Sequence, residues 1–333
     1  MARPKTTQRK QFTVSKAFDQ MIFERRSDLS PHTVADYIVT GKKVCAYFET
    51  DPVVDELDRD DWIGFFNWLR DHVNQPGGII QRPARPLAAK TRRNVHTNLS
   101  ALYTWLVKSG HAETNLIRSI DRPGSKSTPR IDPFTHDEID ALIDACDHTA
   151  RWCTNEDTVS ERHTALRDKV IIKLLLDTGL RAQELCDIQI EHLSLSRSTI
   201  RVPHGKGDKS RVVHFGKRTA KLLWEYLEPR KDTSKPKDYL FYVDDSNPRP
   251  MTRHALRNLV GRLGDRAGVK NVHPHRFRHT FATEYLRNRG QMLALKDLLG
   301  HSDFEMVEHY AHFVAADVQH DHESASPVDN WKV

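Results

Sequence analysis

Six side chains in the second half of the sequence stand among neighbours that are apolar or structural. Arg181 sits in TGLRAQEL and Lys206 in GKGDK, with Lys209 close behind. His275 and Arg278 lie in HPHRFRHTFATEYL, His301 closes LLGH, and Tyr310 follows nine residues later. These residue types cover the roles that phosphodiester exchange needs without a metal. A phosphoryl transition state spreads charge over its nonbridging oxygens, and arginine forks neutralise that charge bidentately. A lysine can protonate the leaving alkoxide, and a histidine can move a proton or bind the phosphate. A tyrosine hydroxyl attacking in line gives a covalent phosphotyrosine.

Taken singly, each residue also has an ordinary explanation. Arg181 could pair with Glu184 at i, i+3, Lys206 could be a solvated turn residue, and His301 could cap a helix C-terminus. Ser302-Asp303-Phe304-Glu305 has the form of a capping box. Beyond it, Phe304, Val307, Ala311 and Val314 make one apolar helical face. At ~100° per residue Tyr310 falls at the edge of that stripe, where a tyrosine commonly packs its ring and wets its hydroxyl. His275 and His279 are spaced i, i+4, and His301, His309 and His312 follow, which raises a zinc site. The H-x-x-x-H lacks a following glutamate, and Arg278 would repel a cation, so neither a metal nor another cofactor is expected.

The elements that must position these groups read as mostly α with one small antiparallel β-sheet. Three amphipathic helices occupy the first ~110 residues. The first opens at Ser30-Pro31 with Val34, Ile38, Cys45 and Phe48 inward. The second runs from about Asp60 with Trp62, Phe65, Leu69 and Val73 inward, and NQPGGIIQRPARPL then reads as a loop. The third buries Val95, Leu99, Leu102 and Leu106 and stops at Gly110. Its outer face gathers Lys90, Thr91, Arg92, Arg93 and His96 at a helix start, near loop residues Arg82 and Arg85. Cations there oppose the helix dipole, and a phosphate backbone would relieve the mismatch. Residues 118–132, RSIDRPGSKSTPRID, read as an exposed basic linker with Lys126 and Arg130 able to track DNA. A second domain opens at the capping box Thr135-His136-Asp137-Glu138. It continues with the helix LRDKVIIKLLLDTG, a hairpin of STIRVPH and SRVVHFG, and the helices KRTAKLLWEYL and TRHALRNLVGRLGDRAG.

Bulk properties set the bounds. The 333 residues suit two domains, and no run of about eighteen apolar residues is present to span a membrane. MARPKTTQRKQF is basic but lacks the apolar stretch of a secretory signal, so a soluble cytoplasmic protein is expected. Cys45, Cys146, Cys153 and Cys186 lack C-x-x-C spacing and read as free thiols. The net charge of +6 is compatible with nucleic acid without proving it.

In order and spacing the motifs resemble the tyrosine recombinases, the family of Cre, the phage integrases and the Xer proteins. TGLRAQEL is similar to the family's first arginine motif, which implies a catalytic Arg181 with Glu184 as the motif glutamate. GKGDKSRVVHF resembles the hairpin of the catalytic lysine and implies Lys206, with Lys209 the second candidate. HRFRHTFAT resembles H-x-x-R and gives His275 and Arg278, while LLGHSDFEMVEHYAHF gives His301 and the nucleophile Tyr310. LSPHTVADY and KTRRNVHTNLSALYTWL resemble the helical core-binding domain, one half of a C-shaped DNA clamp. The resemblance therefore implies a basic tail at 1–11, a SAM-like DNA-binding domain at 12–117, the linker, a catalytic domain at 133–314 and a tail at 315–333. It implies a double-stranded recombination site as partner, bound by a monomer or dimer and then by four protomers on paired sites. Arg276 joins the expected DNA contacts, and no separate arm-binding domain is expected before the first helix. A type IB topoisomerase and a catalytically idle DNA-binding regulator are the alternatives the motifs leave open.

Overall fold

A computed structural model describes residues 12–71, 73–74, 85–124, 132–147, 162–203, 210–243, 248–300, 308 and 310–311. The chain divides between Thr128 and Pro129 into two units.

The first unit is built on four helices: α1 (Val14–Glu24), α2 (Pro31–Phe48), α3 (Arg59–Asp71) and α4 (Ala89–Lys108). The sequence reading passed over α1, although Val14, Ala17, Phe18 and Met21 repeat at helical spacing and are all buried. No side chain of its own caps its start. Val14 N–H donates instead to the Pro52 carbonyl (3.0 Å) and Ser15 N–H to Asp51 Oδ1 (3.0 Å), acceptors some 36 residues away. A helix capped by tertiary contacts has no local start signal to read.

Ser30 and Pro31 open α2 as expected, the Ser30 hydroxyl accepting from Thr33 N–H at 3.1 Å. The inward face differs from the expected one. Tyr37, Thr40, Gly41 and Val44 are buried, whereas Ile38 is 44% exposed. Gly41 faces the Phe18 ring of α1, where an added Cβ would stand at ordinary van der Waals distance (3.5 Å). Thr40 is satisfied in this contact, donating to Asp36 O (2.8 Å) and accepting from Asn98 Nδ2 (2.9 Å). Trp62, Phe65 and Leu69 of α3 and Val95, Leu99, Leu102 and Leu106 of α4 are buried as expected. Trp62 Nε1 donates to the Tyr103 hydroxyl across this core at 2.9 Å. Val73 belongs to β1 (Val73–Asn74), which pairs with β2 (Arg85–Pro86), and not to α3. The start of the expected linker packs on the unit: the Ile120 carbonyl contacts His96 of α4 and Arg122 donates to the Thr97 hydroxyl.

The second unit opens with α5 (His136–Asp144), whose Thr135/Glu138 capping box forms both reciprocal bonds. At its centre, α6 (Ala165–Thr178) buries Val170, Ile171, Ile172, Leu174 and Leu175, with neighbours on more than one side. After the short α7 (Ala182–Cys186) come three antiparallel strands, β3 (Leu193–Ser194), β4 (Thr199–Val202) and β5 (Arg211–His214), in that spatial order. Ile200 pairs with Val213, and both point into the core. The short β3 was not anticipated, since a two-residue strand carries no alternation to detect. Then follow α8 (Lys217–Leu227), α9 (Arg253–Ala267), α10 (Pro274–Arg287) and α11 (Met292–Leu299). The start of α8 is capped from another element, Asp177 accepting from Gly216 N–H (2.6 Å) and the Thr219 hydroxyl (2.8 Å).

Gly179 ends α6 at φ +60°, and a Cβ built on it would collide with the Phe281 ring of α10. Gly179→Ala combines a left-handed backbone with that collision and should destabilise the chain by more than about 1 kcal/mol. Urea unfolding followed by circular dichroism measures this, and an unchanged midpoint would show that the turn accommodates a methyl group.

Candidate active site

The first turn of α10 fixes three groups on one face. His273 precedes the helix and accepts from Arg276 N–H through Nδ1 (3.1 Å), and Pro274 sets the first helical position. His275, Arg278 and His279 then fall within ~100° of arc. Arg278 is 2% exposed. It donates to the Gly179 carbonyl and to the Leu299 carbonyl, both at 2.6 Å. These are C-terminal carbonyls of α6 and α11, where the helix dipole is negative, and they make a suitable seat for a buried cation. Burial, with Arg181 adding repulsion, still lowers the Arg278 pKa to about 9.

Two further arginines use the next carbonyls along the same turn. Arg211 Nε donates to Leu298 O (2.8 Å) and Arg181 donates to Gly300 O (3.1 Å). Glu184 joins them. It accepts a bidentate pair from Arg211 (2.8 and 2.7 Å), a bond from the Arg181 guanidinium (2.9 Å) and one from Arg181 N–H (2.8 Å). Burial alone would raise the Glu184 pKa, but the Arg211 fork and charge and the Arg181 bonds outweigh it and hold it at about 2. Gly300, at φ +62°, has Arg211 atoms 3.1–3.3 Å from where a Cβ would stand, so the turn and the arginine fit closely.

Tyr310 lies in a helical turn and is fully buried, not at a wetted edge as the apolar stripe suggested. It packs with Phe281, Ala282, Leu295 and Leu299. Its hydroxyl is 2.7 Å from His279 Nδ1. Burial raises the Tyr310 pKa, and the nearby Arg278 charge opposes the rise. The His275 ring stands edge-on to His279, with centroids 4.3 Å apart. Burial, then His279 and Arg278, lowers the His275 pKa to about 4.

Arg181, His275, Arg278 and Tyr310 are thus gathered in one place. Lys206, Lys209 and His301 lie outside the described residues, although β4 and β5 lead to the first two and Gly300 immediately precedes the third. Among the expected DNA contacts, Arg82, Lys126 and Arg130 also lie outside the described residues, and Arg85 is on β2. Lys90 is exposed, while Thr91, Arg92 and Arg93 are half-buried along α4. Two assignments need correction. His96 is 7% exposed and packs beside Phe66 with Nε2 on the Ile120 carbonyl (3.1 Å), so it faces the core. Arg276 is 6% exposed and is consumed internally. It donates to Glu138 (2.8 Å), Asp132 O (3.0 Å) and Lys270 O (2.8 Å), and lies 4.0 Å over the Phe134 ring. It ties α5 to α10, and with the side chain buried in these contacts it faces the interior of the unit. The sequence reading also missed Arg211 and His279. Arg211 shares the inward face of β5 with Val213, which was the available signal, and His279 was noticed only for metal spacing.

Residues 133–316 match the model of the phage integrase family. The chain belongs to this family. It is a tyrosine recombinase, an enzyme that breaks and rejoins DNA. The recombinase is 27% identical over 287 residues to tyrosine recombinase XerD of Listeria innocua, covering 84% of each chain. It is 29% identical over 293 residues to XerC of Pseudomonas fluorescens, covering 88% of each. Against XerC of Bacillus pumilus the identity is 33% over 235 residues, 67% of this chain and 71% of the relative. The solved Tn1549 transposon integrase in complex with transposon right end DNA superimposes with a TM-score of 0.69 at 18% identity, covering 90% of this chain and 94% of that one. A lambda integrase dimer bound to a core site gives 0.65 at 15% identity, covering 93% and 81%. At these identities the structural matches establish the fold. Among the described residues no helix of the recombinase is long and apolar enough to cross a membrane.

The ion-pair cluster sets a pH dependence. Glu184 has a folded pKa of about 2 against 4.5 for a free glutamate, so its contribution is complete above pH 4.5 and is lost as pH falls toward 2. The contribution is on the order of 3 kcal/mol. Acid unfolding of wild type should therefore steepen across that window, and Glu184→Gln should flatten this part of the curve while lowering stability at neutral pH. Parallel curves for the two proteins would show that Glu184 is not linked to folding.

Proposed function

We propose that this recombinase exchanges strands at a specific double-stranded DNA site through a 3′-phosphotyrosine at Tyr310. The supporting observation is the seating of Arg181 and Arg278 on adjacent carbonyls at the end of α11, with Tyr310 on the neighbouring His279. The two guanidiniums hold the nonbridging oxygens of the scissile phosphate and stabilise the charge that grows there. Tyr310 attacks the phosphorus and the 5′-oxygen leaves, taking a proton from Lys206. His275 and His301 supply hydrogen bonds to the phosphate. One phosphodiester becomes one phosphotyrosine, so bond energy is retained and neither ATP nor a metal is called for. The 5′-hydroxyl of a partner duplex then attacks the phosphotyrosine, and the exchange passes through a Holliday junction.

Four protomers on two paired sites carry out the exchange, each joining as a monomer or dimer. The helical unit holds the duplex with Lys90, Thr91, Arg92 and Arg93, joined by Arg82, Arg85, Lys126, Arg130 and Lys209. Similarity over most of the chain to proteins named XerC and XerD supports a two-domain recombinase of that kind, acting in the cytoplasm.

Trapping a covalent adduct tests the reading. Purified wild type and Tyr310→Phe are incubated in EDTA with fragments of the host's DNA and run on a denaturing gel. Wild type alone should give a detergent-resistant, protease-sensitive complex, and sequencing its DNA names the site. Arg278→Ala should lose cleavage by ~10³-fold or more while still retarding DNA on a native gel. Ordinary cleavage by that variant, or an adduct surviving Tyr310→Phe, would remove the assignment.

A further inference from the structure

We infer that His279 is a further catalytic residue, the base that takes the phenolic proton of Tyr310 as the hydroxyl attacks the phosphate. The inference rests on Tyr310 being the nucleophile. Its basis is geometric: His279 Nδ1 lies 2.7 Å from the hydroxyl, within the reach required of a general base. His279 is positioned by the same helical turn that sets Arg278, one residue before it, so base and phosphate-binding cation share one rigid element.

The surroundings keep the ring in the form that can accept. Burial comes first, with His273 and Arg278 adding repulsion, and together they lower the His279 pKa below that of a free histidine. The groups that face the ring are His275, at a centroid distance of 4.3 Å, and Tyr310, at 5.6 Å, with His273 and Arg278 near enough to act through their charge. Neither of the two neighbouring histidines supplies the negative charge that would hold a proton on His279. A neutral imidazole with its proton on Nε2 presents the Nδ1 lone pair to Tyr310. The nucleophile needs such help, because burial makes its phenol harder to ionise than free tyrosine.

The step balances within the groups present. The Oη–H bond breaks and its proton moves to Nδ1, giving an imidazolium. The freed Oη electron pair forms the bond to phosphorus, and the bond from phosphorus to the 5′-oxygen breaks. That oxygen takes its own proton from the acid already assigned. In the rejoining half-reaction the imidazolium returns its proton to Tyr310 as the phosphotyrosine bond breaks. His275, whose pKa is about 4, remains neutral beside it and is free to bind phosphate.

The experiment uses the full-length protein and the DNA sequence recovered from the covalent adduct, carrying a 5′-bridging phosphorothiolate at the cleaved phosphate. A thiolate leaves without a proton, so the rate reports the attack and not the general acid. Single-turnover cleavage is measured from pH 5 to 9 for wild type, His279→Ala and His279→Asn, with Tyr310→Phe as control. His279→Asn retains a hydrogen-bond acceptor near Nδ1 but cannot carry a proton. The base role predicts a wild-type rate that is level at neutral pH and falls on the acid side, below the ordinary histidine range. It predicts both His279 variants slower by ~10²-fold at pH 7 and rising about tenfold per pH unit as hydroxide takes over. A wild-type rate and level profile in His279→Asn would show that the contact only positions the tyrosine and would overturn the inference, as would unimpaired cleavage by His279→Ala. If His279→Ala does not fold, the Asn variant and the wild-type profile still decide. An adduct formed by Tyr310→Phe would instead overturn the nucleophile assignment itself, a distinct failure from an intact Tyr310 requirement with no His279 effect.

Discussion

Three successive carbonyls at the end of α11 each receive one arginine: Leu298 holds Arg211, Leu299 holds Arg278 and Gly300 holds Arg181. The second unit is organised around this turn. The arginines come from β5, α10 and the residue before α7, which are far apart in the chain. A helix terminus offers what they need, carbonyls without intrahelical partners and the negative end of a dipole. Gly300 permits the turn because it holds φ at +62°, a conformation that L residues with a side chain rarely adopt. Gly179 plays the same part for α6 and supplies the second acceptor for Arg278.

Placing three guanidiniums together has a cost that one carboxylate offsets in part. Glu184 bonds to two of them and leaves the cluster two positive charges in excess. The depressed pKa of Arg278 reflects burial and this repulsion together. Neutral carbonyls and a single carboxylate orient the cations without cancelling them, so under the proposed function a phosphate held by Arg181 and Arg278 would meet charge that is already in place. Such preorganisation is where catalysis of phosphoryl transfer gains most, since little reorganisation is needed as the transition state forms. Arg211 works through Glu184 and the Leu298 carbonyl, which makes it a positioning residue for Arg181 and for the turn.

The helical unit solves a different problem. Its cationic α4 start is held against the body of the unit: Arg93 donates to the Pro123 carbonyl (3.3 Å) and Arg122 donates to Thr97 (2.9 Å). Arg93, half-buried, keeps its stem packed while its charge remains near the surface, and so retains direction. His96 belongs to the core of that arrangement, even though it is adjacent in sequence to the basic cluster.

Much of this could be read from residue order. That Arg181, His275, Arg278 and Tyr310 come together was legible because each sits in a short motif of local geometry. Helices with their own caps, such as α2 and α5, were equally legible, as were the inward faces of α3 and α4, whose apolar repeat is regular. What the sequence could not disclose were features decided by distant partners. The start of α1 is capped by Asp51 and Pro52, and the inward face of α2 is the one that packs on α1, with Tyr37 against Phe18. Arg276 looked like a surface cation until Glu138, Asp132 and Phe134 closed around it. Arg211 and His279 acquired roles only through Glu184 and Tyr310, which lie 27 and 31 residues away. The sequence by itself determined which groups are present and which helices can form. The tertiary structure alone decided which carbonyl, carboxylate or hydroxyl each group meets, because those partners are brought together by packing and not by spacing along the chain.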